Sequence, residues 1–233
     1  VLKISSLKAG YDETMVLNNV HLEVEKGKVV SILGRNGAGK TTLIKTIIGL
    51  LKPMDGTIYW NDQEITHELP ERRAKKGIGY VPQGREIFSS LTVEENLILG
   101  FEAVSKKIEK TLVLEEIFEL FPVLKEMLKR KGGDLSGGQQ QQLAIARALA
   151  GQPELLLLDE PMEGIQPSIV EQIQEVIVKI ASKKGIGVVL VEHSIDSAFA
   201  CSDEYYILDK RTVVSKGVVK NTNIEDIQQY LVV

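Results

Sequence analysis

Apolar and polar residues alternate through the first two dozen positions, at Leu2, Ile4 and Leu7 and then Val20, Leu22 and Val24, with turn residues from Gly10 to Thr14 and at Lys26-Gly27. Alternation predicts half-buried strands, so the chain opens on a small antiparallel sheet. The pattern then changes to a β-branched apolar run, Val29, Val30, Ile32 and Leu33, followed by apolar positions at helical spacing, Leu43, Ile44, Ile47 and Ile48. Such a run is buried on both faces, and it feeds a helix that Gly49 ends. Pro53 and Gly56 turn the chain into a further strand, Thr57-Ile58-Tyr59-Trp60, where Trp60 packs on the sheet. From about Leu91 to Leu128 the spacing is helical, at Ile108 and Leu112 and then Ile117, Phe118, Phe121, Leu124 and Leu128, which predicts a helical insert. Strands return after Gly151-Gln152-Pro153 as Leu155 to Leu158 and as Val188-Val189-Leu190-Val191. Between them Ile169, Ile173, Val176, Ile177 and Ile180 share one face of a helix that starts at Pro167. Continuous apolar strands alternating with helices predict a parallel sheet covered on both sides.

At 233 residues the chain has room for one large domain or two modest ones with a real core. A net charge of -4 argues against a nucleic-acid surface. One cysteine, Cys201, forms no internal disulfide and suits a reducing compartment; it reads as a small buried apolar residue. No stretch reaches roughly 18 consecutive apolar residues, and no basic-then-apolar signal opens the chain. The expectation is that it neither crosses a membrane nor is exported by itself, and that any membrane role comes through a partner.

Chemistry enters with Gly34-Arg35-Asn36-Gly37-Ala38-Gly39-Lys40-Thr41, which fits G-x-x-x-x-G-K-[ST] between the buried strand and the helix. Glycines let successive backbone N–H groups close on a polyphosphate, and the helix N-terminus adds to the attraction. Lys40 is placed to reach β- and γ-phosphates and the Thr41 hydroxyl to ligate Mg²⁺. Arg35, Asn36, Gly37, Ala38, Gly39, Lys40, Thr41 and Thr42 are therefore candidate nucleotide contacts. A second motif follows Leu155 to Leu158, where Asp159-Glu160 stands at the C-terminal edge of a buried strand. Asp159 is a candidate Mg²⁺ holder, directly or through water, and Glu160 a candidate base for the attacking water. Leu135-Ser136-Gly137-Gly138-Gln139 then caps a strong helix-forming run and makes a second anion cradle. One γ-phosphate needs one cradle, so the second suits a nucleotide carried by another molecule.

With Gly34 to Thr41, Gln83, Leu135 to Gln139, Asp159-Glu160 and His193 in this order, the chain resembles the ATP-binding subunit of an ABC transporter over essentially its whole length. The resemblance implies an α/β fold: a P-loop NTPase (RecA-like) core, an N-terminal antiparallel β subdomain and an inserted α-helical signature subdomain. A single ABC ATPase domain is expected, with residues 1–86 and 152–233 as β and RecA-like core and 87–151 as helical subdomain. It further implies head-to-tail dimers in which Ser136, Gly137, Gly138 and Gln139 of one copy hold the ATP on the other's phosphate loop. By the same resemblance Tyr11 stacks on adenine beside Val16, Gln83 joins the Mg²⁺ shell and signals to membrane subunits, and His193 contacts the γ-phosphate and orients Glu160. His21 and His67 match no such position and are left on the surface.

Gly84-Arg85-Glu86-Ile87-Phe88, Leu91 to Leu97 and Glu163-Gly164-Ile165-Gln166-Pro167 are similar to the smaller ATPase subunit of branched-chain amino acid importers. The implied partners are a second ATPase subunit, self or paralogue, transmembrane permease subunits and, indirectly, a solute-binding protein. The implied place is the cytoplasmic face of the plasma membrane, and Phe88 with its neighbours is the expected docking surface. Another small solute, such as another amino acid, an amide or urea, is the alternative cargo. A soluble ABC ATPase acting on DNA or the ribosome is the alternative class, but its long coiled-coil insertions or duplicated cassettes are absent from this sequence. Gln142 stands where many relatives have arginine, and Met162-Glu163-Gly164 departs from the commoner interfacial segment, with a change in coupling between ATP sites as the expected effect.

Overall fold

The computed structural model describes residues 1–104 and 108–231. Strands β1 (Leu2–Tyr11) and β2 (Thr14–Val24) form the opening hairpin, registered from Leu2 opposite Val24 to Tyr11 opposite Thr14. A strand β3 (Val29–Gly34), wholly buried, leads to helix α1 (Lys40–Ile47). After it β4 (Asp55–Trp60) returns antiparallel to β1 and pairs with the short β5 (Gln63–Glu64), giving a four-stranded sheet in the order β2-β1-β4-β5. Trp60 is buried in it and its indole N–H donates to the Lys76 carbonyl at 3.0 Å.

Helix α2 (Pro70–Lys75) precedes β6 (Ile78–Val81). The helical insert follows as α3 (Val93–Gly100), α4 (Lys110–Leu120), α5 (Pro122–Glu126) and α6 (Gly137–Ala150). Strand β7 (Leu155–Asp159), helix α7 (Pro167–Lys184), strand β8 (Gly187–Val191), helix α8 (Ile195–Phe199), strands β9 (Glu204–Asp209) and β10 (Thr212–Val218) and helix α9 (Ile224–Gln228) complete the chain. The main sheet runs β10-β9-β3-β8-β7-β6. Its strands are parallel as expected except at one edge, where β10 turns back antiparallel on β9 through Lys210 and Arg211 in left-handed conformation. The edge strands β6 and β10 are only partly buried because solvent reaches one side, whereas β9, between β10 and β3, carries its own buried run, Tyr205-Tyr206-Ile207-Leu208.

The apolar strands serve two cores. Leu156, Leu158, Val188 and Leu190 face the helical insert and α7, whereas Leu155, Leu157, Val189 and Val191 face α1 and the antiparallel sheet. Period-two side-chain direction thus turns a featureless run into a partition wall. Within the insert, buried Asn96 accepts from the Phe88 amide at 2.9 Å and donates to the Phe88 carbonyl at 3.0 Å, which fixes the loop beyond Gln83 onto α3.

Arg73 is the largest fully buried charged side chain, and it caps the far end of α1. Its guanidinium donates to the carbonyls of Thr46 (2.8 Å), Ile47 (2.7 Å), Thr66 (2.9 Å) and Glu68 (3.0 Å). A cation at a helix C-terminus satisfies the last carbonyls and opposes the negative end of the dipole. Arg73→Met removes these donors, with Thr46 keeping the Gly49 amide at 3.2 Å, and is expected to cost about 3 kcal/mol or more in urea unfolding. A loss below about 1 kcal/mol would mean that other donors replace the guanidinium.

Candidate active site

Six buried residues of β3 carry the chain to Gly34, and the loop that follows closes on α1. Gly39, the residue before α1, has φ 103°, and a Cβ there would lie 2.7 Å from Leu17 Cδ2 and 3.2 Å from Val16 Cγ1. Only glycine fits, so the sheet residue expected beside adenine, Val16, does lie against the phosphate loop. A Cβ on Gly37 would meet nothing within 4 Å, so that turn faces open space. No side chain caps α1, which leaves its first amides to an anion. Tyr11 stands exposed at the end of the β1–β2 hairpin. Lys40 is buried, and its ammonium donates to the carbonyls of Gly34 at 2.8 Å and Arg35 at 3.2 Å. Desolvation lowers its pKa, countered by Glu160, Asp159 and Glu192.

Strand β7 delivers Asp159 and Glu160 to the same place. The Thr41 hydroxyl donates to Asp159 Oδ1 at 3.4 Å, while Asp159 Oδ2 is buried with no hydrogen-bond partner among the described residues. Burial raises the Asp159 pKa, and the Thr41 bond opposes the rise. A hydroxyl, an orphaned carboxylate oxygen and a nearby amide are hard oxygen donors that fit Mg²⁺. No group of three or more His, Cys, Asp and Glu among the described residues could hold a metal, so phosphate oxygens and water would complete its shell.

Glu160 takes a left-handed backbone, φ 51°, which turns its carboxylate back over the strand ends. His193 Nε2 lies 2.6 Å from Glu160 Oε1, and His193 Nδ1 lies 3.3 Å from Lys40 Nζ. A carboxylate only accepts and an ammonium only donates, so this network assigns the proton to Nε2 and the lone pair to Nδ1. Gln83 Nε2 donates to Glu160 Oε2 at 2.8 Å and to Glu163 Oε2 at 2.9 Å. Lys40, Thr41, Gln83, Asp159, Glu160 and His193 therefore converge, and Glu160 is held by two donors with its oxygens fixed. Such a carboxylate is positioned to take a proton from a water aligned on a phosphate.

The signature segment does not join them. Ser136 caps α6 in a box with Gln139, each bonding the other's amide, and Ser136, Gly137, Gly138 and Gln139 line a different cavity of about 420 Å³ with Gly164 and Ile165. No phosphate-loop residue lines that cavity. Arg85 packs on the same helix start, where a Cβ on Gly137 would come within 2.9 Å of its guanidinium. Gln142, in place of the common arginine, donates to Gln172 at 2.9 Å, so a neutral amide pair holds α6 to α7. Cys201 is buried and its thiol is pushed up to about 12, in keeping with an apolar role.

Two contacts of the site escape sequence reasoning. Glu163 shares the Gln83 amide with Glu160, and Glu192, 4% exposed, accepts the Met162 amide at 3.1 Å. Desolvation pushes the Glu192 carboxyl up to about 7, against the two amide bonds it receives from Met162 and His193. Glu163 lies in a segment marked only by family likeness, and Glu192 lies in no spacing pattern that marks chemistry.

A glycine loop opening a helix, an acid pair on the next strand but one and a clasped histidine define a nucleotide-hydrolysing P-loop protein. Residues 17–163 match the model of the ABC transporter family. The chain is 39% identical over 214 residues to the high-affinity branched-chain amino acid transport ATP-binding protein BraG of Pseudomonas aeruginosa, covering 92% of this chain and 91% of that one. It is 37% identical over 217 residues to the probable branched-chain amino acid transport ATP-binding protein LivF of Archaeoglobus fulgidus, covering 93% and 92%. The crystal structure of the ADP conformation of MJ1267, an ATP-binding cassette of an ABC transporter, superposes with a TM-score of 0.86 at 28% identity over 100% of this chain and 99% of that one. The chain belongs to the ABC transporter family as an ATP-binding subunit, homologous to the BraG and LivF type, and is an ATPase. Among the described residues no helix is long and apolar enough to cross a membrane.

Proposed function

We propose that this chain drives an importer of branched-chain amino acids by ATP-dependent, head-to-tail closure of two ATPase subunits. The observation that carries the closure is the separation of two anion cradles, the loop before α1 and the capped start of α6, which line no common cavity. A second subunit, a copy or a paralogue, brings its Ser136-Gly137-Gly138 to the γ-phosphate of the ATP on this one. Tyr11 and Val16 receive the adenine, and residues 35–42 the phosphates.

Thr41, Asp159 and Gln83 would hold Mg²⁺, which when bound supplies positive charge to the phosphate oxygens. Lys40 exchanges loop carbonyls for phosphate oxygens. Glu160, oriented by His193 and Gln83, accepts a proton from water as the water oxygen bonds to the γ-phosphorus and the bond to the β-phosphate oxygen breaks, leaving ADP and inorganic phosphate. With the γ-phosphate gone, the contact to the partner's Ser136 is lost and the pair reopens.

An apolar groove of about 540 Å³, lined by Leu50, Tyr80, Phe88 and Leu99 among others, lies next to the loop that carries Gln83. Phe88 is 51% exposed there and Leu50 61%, and a permease segment is the proposed occupant, at the cytoplasmic face of the membrane. The BraG and LivF likeness supports branched-chain amino acids as cargo. The test is transport. With permease subunits and a solute-binding protein in vesicles, ATP is expected to drive uptake of labelled leucine that isoleucine and valine compete. Uptake competed by urea or an amide instead would replace this cargo with another small solute.

A further inference from the structure

Glu192 is a buried acid that the chemistry above leaves unused. It follows β8, whose last residue, Val191, accepts the Glu160 amide at 3.0 Å. One step further on, the Glu192 side chain accepts the Met162 amide at 3.1 Å, and the amide of His193 donates to the same carboxylate. His193 then returns to Glu160 at 2.6 Å. The contacts close a ring: along the chain from Glu160 to Met162, across to Glu192, along to His193, and across to Glu160 again. Glu160 and Glu163 face the carboxylate from the segment after β7, Lys40 from α1 and Cys201 from beyond α8. A buried carboxylate among acids is costly unless donors satisfy it, and the donors here are backbone amides of two different segments.

We propose that Glu192 is a positioning residue that fastens segment 161–164 to His193, so that the contact between His193 and Glu160 follows the movement of that segment. The proposal rests on the dimer reading above, with Met162-Glu163-Gly164 taken as the interfacial segment that the family resemblance implies. Contact at that segment would then be felt at the catalytic carboxylate of the same chain through a single side chain. Glu192 is buried and its carboxylate is engaged by the Met162 and His193 amides, so it acts through the turnover step and leaves ATP binding alone.

The experiment compares Glu192→Ala and Glu192→Gln with the unaltered chain in steady-state hydrolysis, nucleotide affinity and urea unfolding. Glu192→Ala removes the acceptor, and kcat is expected to fall about tenfold or more. KM and ATP affinity should stay within about twofold, because the interaction lost is not made to the bound ground state. Glu192→Gln keeps a carbonyl oxygen for the Met162 amide and is expected to restore kcat to within about threefold of the original. An alanine variant with unchanged kcat overturns the proposal, as does a glutamine variant as slow as alanine, or a loss of ATP affinity that parallels the loss of rate. ATP-driven association of the Glu160→Gln chain, with Glu192 intact, is measured alongside. Its absence both with this chain alone and with a paralogous ATPase subunit sinks the dimer reading, whereas its presence with a fully active Glu192→Ala sinks this inference alone.

Discussion

Glu160→Gln is expected to bind ATP·Mg²⁺ and to stay associated with a second subunit while hydrolysis falls about 10²- to 10⁴-fold, the usual loss when a positioned general base is removed. The amide has nearly the shape of the carboxylate and keeps an oxygen for His193, so the left-handed turn at residue 160 and the phosphate loop should be undisturbed. What it lacks is a basic oxygen to take the proton from water. The nucleotide then persists and so does the contact between subunits. Light scattering or sedimentation with and without ATP·Mg²⁺ reads the association, and phosphate release reads the turnover. Near-normal hydrolysis would remove Glu160 from the catalytic role. A monomer that still binds ATP would leave the carboxylate in place but require a paralogue as the second subunit.

The second large effect is expected at the other cradle. Ser136 caps α6, its side chain accepting from Gln139, and it lines a cavity that includes no part of the phosphate loop. Ser136→Arg places a long cation where the proposed partner's γ-phosphate and loop would enter. Nucleotide affinity of the single chain should be unchanged to within about twofold, while ATP-dependent association is lost, because binding energy that depends on two surfaces vanishes when one is blocked. Titration of labelled nucleotide and sedimentation separate the two quantities. If the single chain loses affinity strongly, Ser136 serves its own nucleotide and the head-to-tail arrangement is wrong. The capping box itself contributes only about 1 kcal/mol, so loss of the cap alone does not explain an all-or-none change in association.

Much of this was legible in the sequence because the responsible physics is local. Gly39 must be glycine, since its φ of 103° and the side chains of Leu17 and Val16 exclude a Cβ, and the motif records that exclusion directly. The apolar runs of β7 and β8 announce burial on both faces, and both faces are indeed covered. The antiparallel edge strand β10 was not legible, because pairing direction at an edge is set by a turn and not by burial. Glu192 was not legible either. A glutamate after a buried strand reads as a solvated strand end, and only the approach of the Met162 amide from a segment 30 residues away gives it a partner. Gln83 and His193 came from family likeness, since a lone amide and a lone imidazole carry no spacing signal of their own. The structure adds the joint geometry in which one carboxylate receives both.

The guanidinium of Arg73 belongs to two places at once. Its nitrogens hold the last carbonyls of α1, and the same side chain lines the apolar groove beside Phe88. The wall of the groove and the butt of the phosphate-loop helix are therefore one object. In the importer proposed above, a permease segment seated in the groove would lean on the rear of the helix whose front end faces the nucleotide, so pressure from the membrane side would have a route to the phosphates that bypasses Gln83. Traffic between the proposed permease and the nucleotide would then run along two tracks, one at each end of α1.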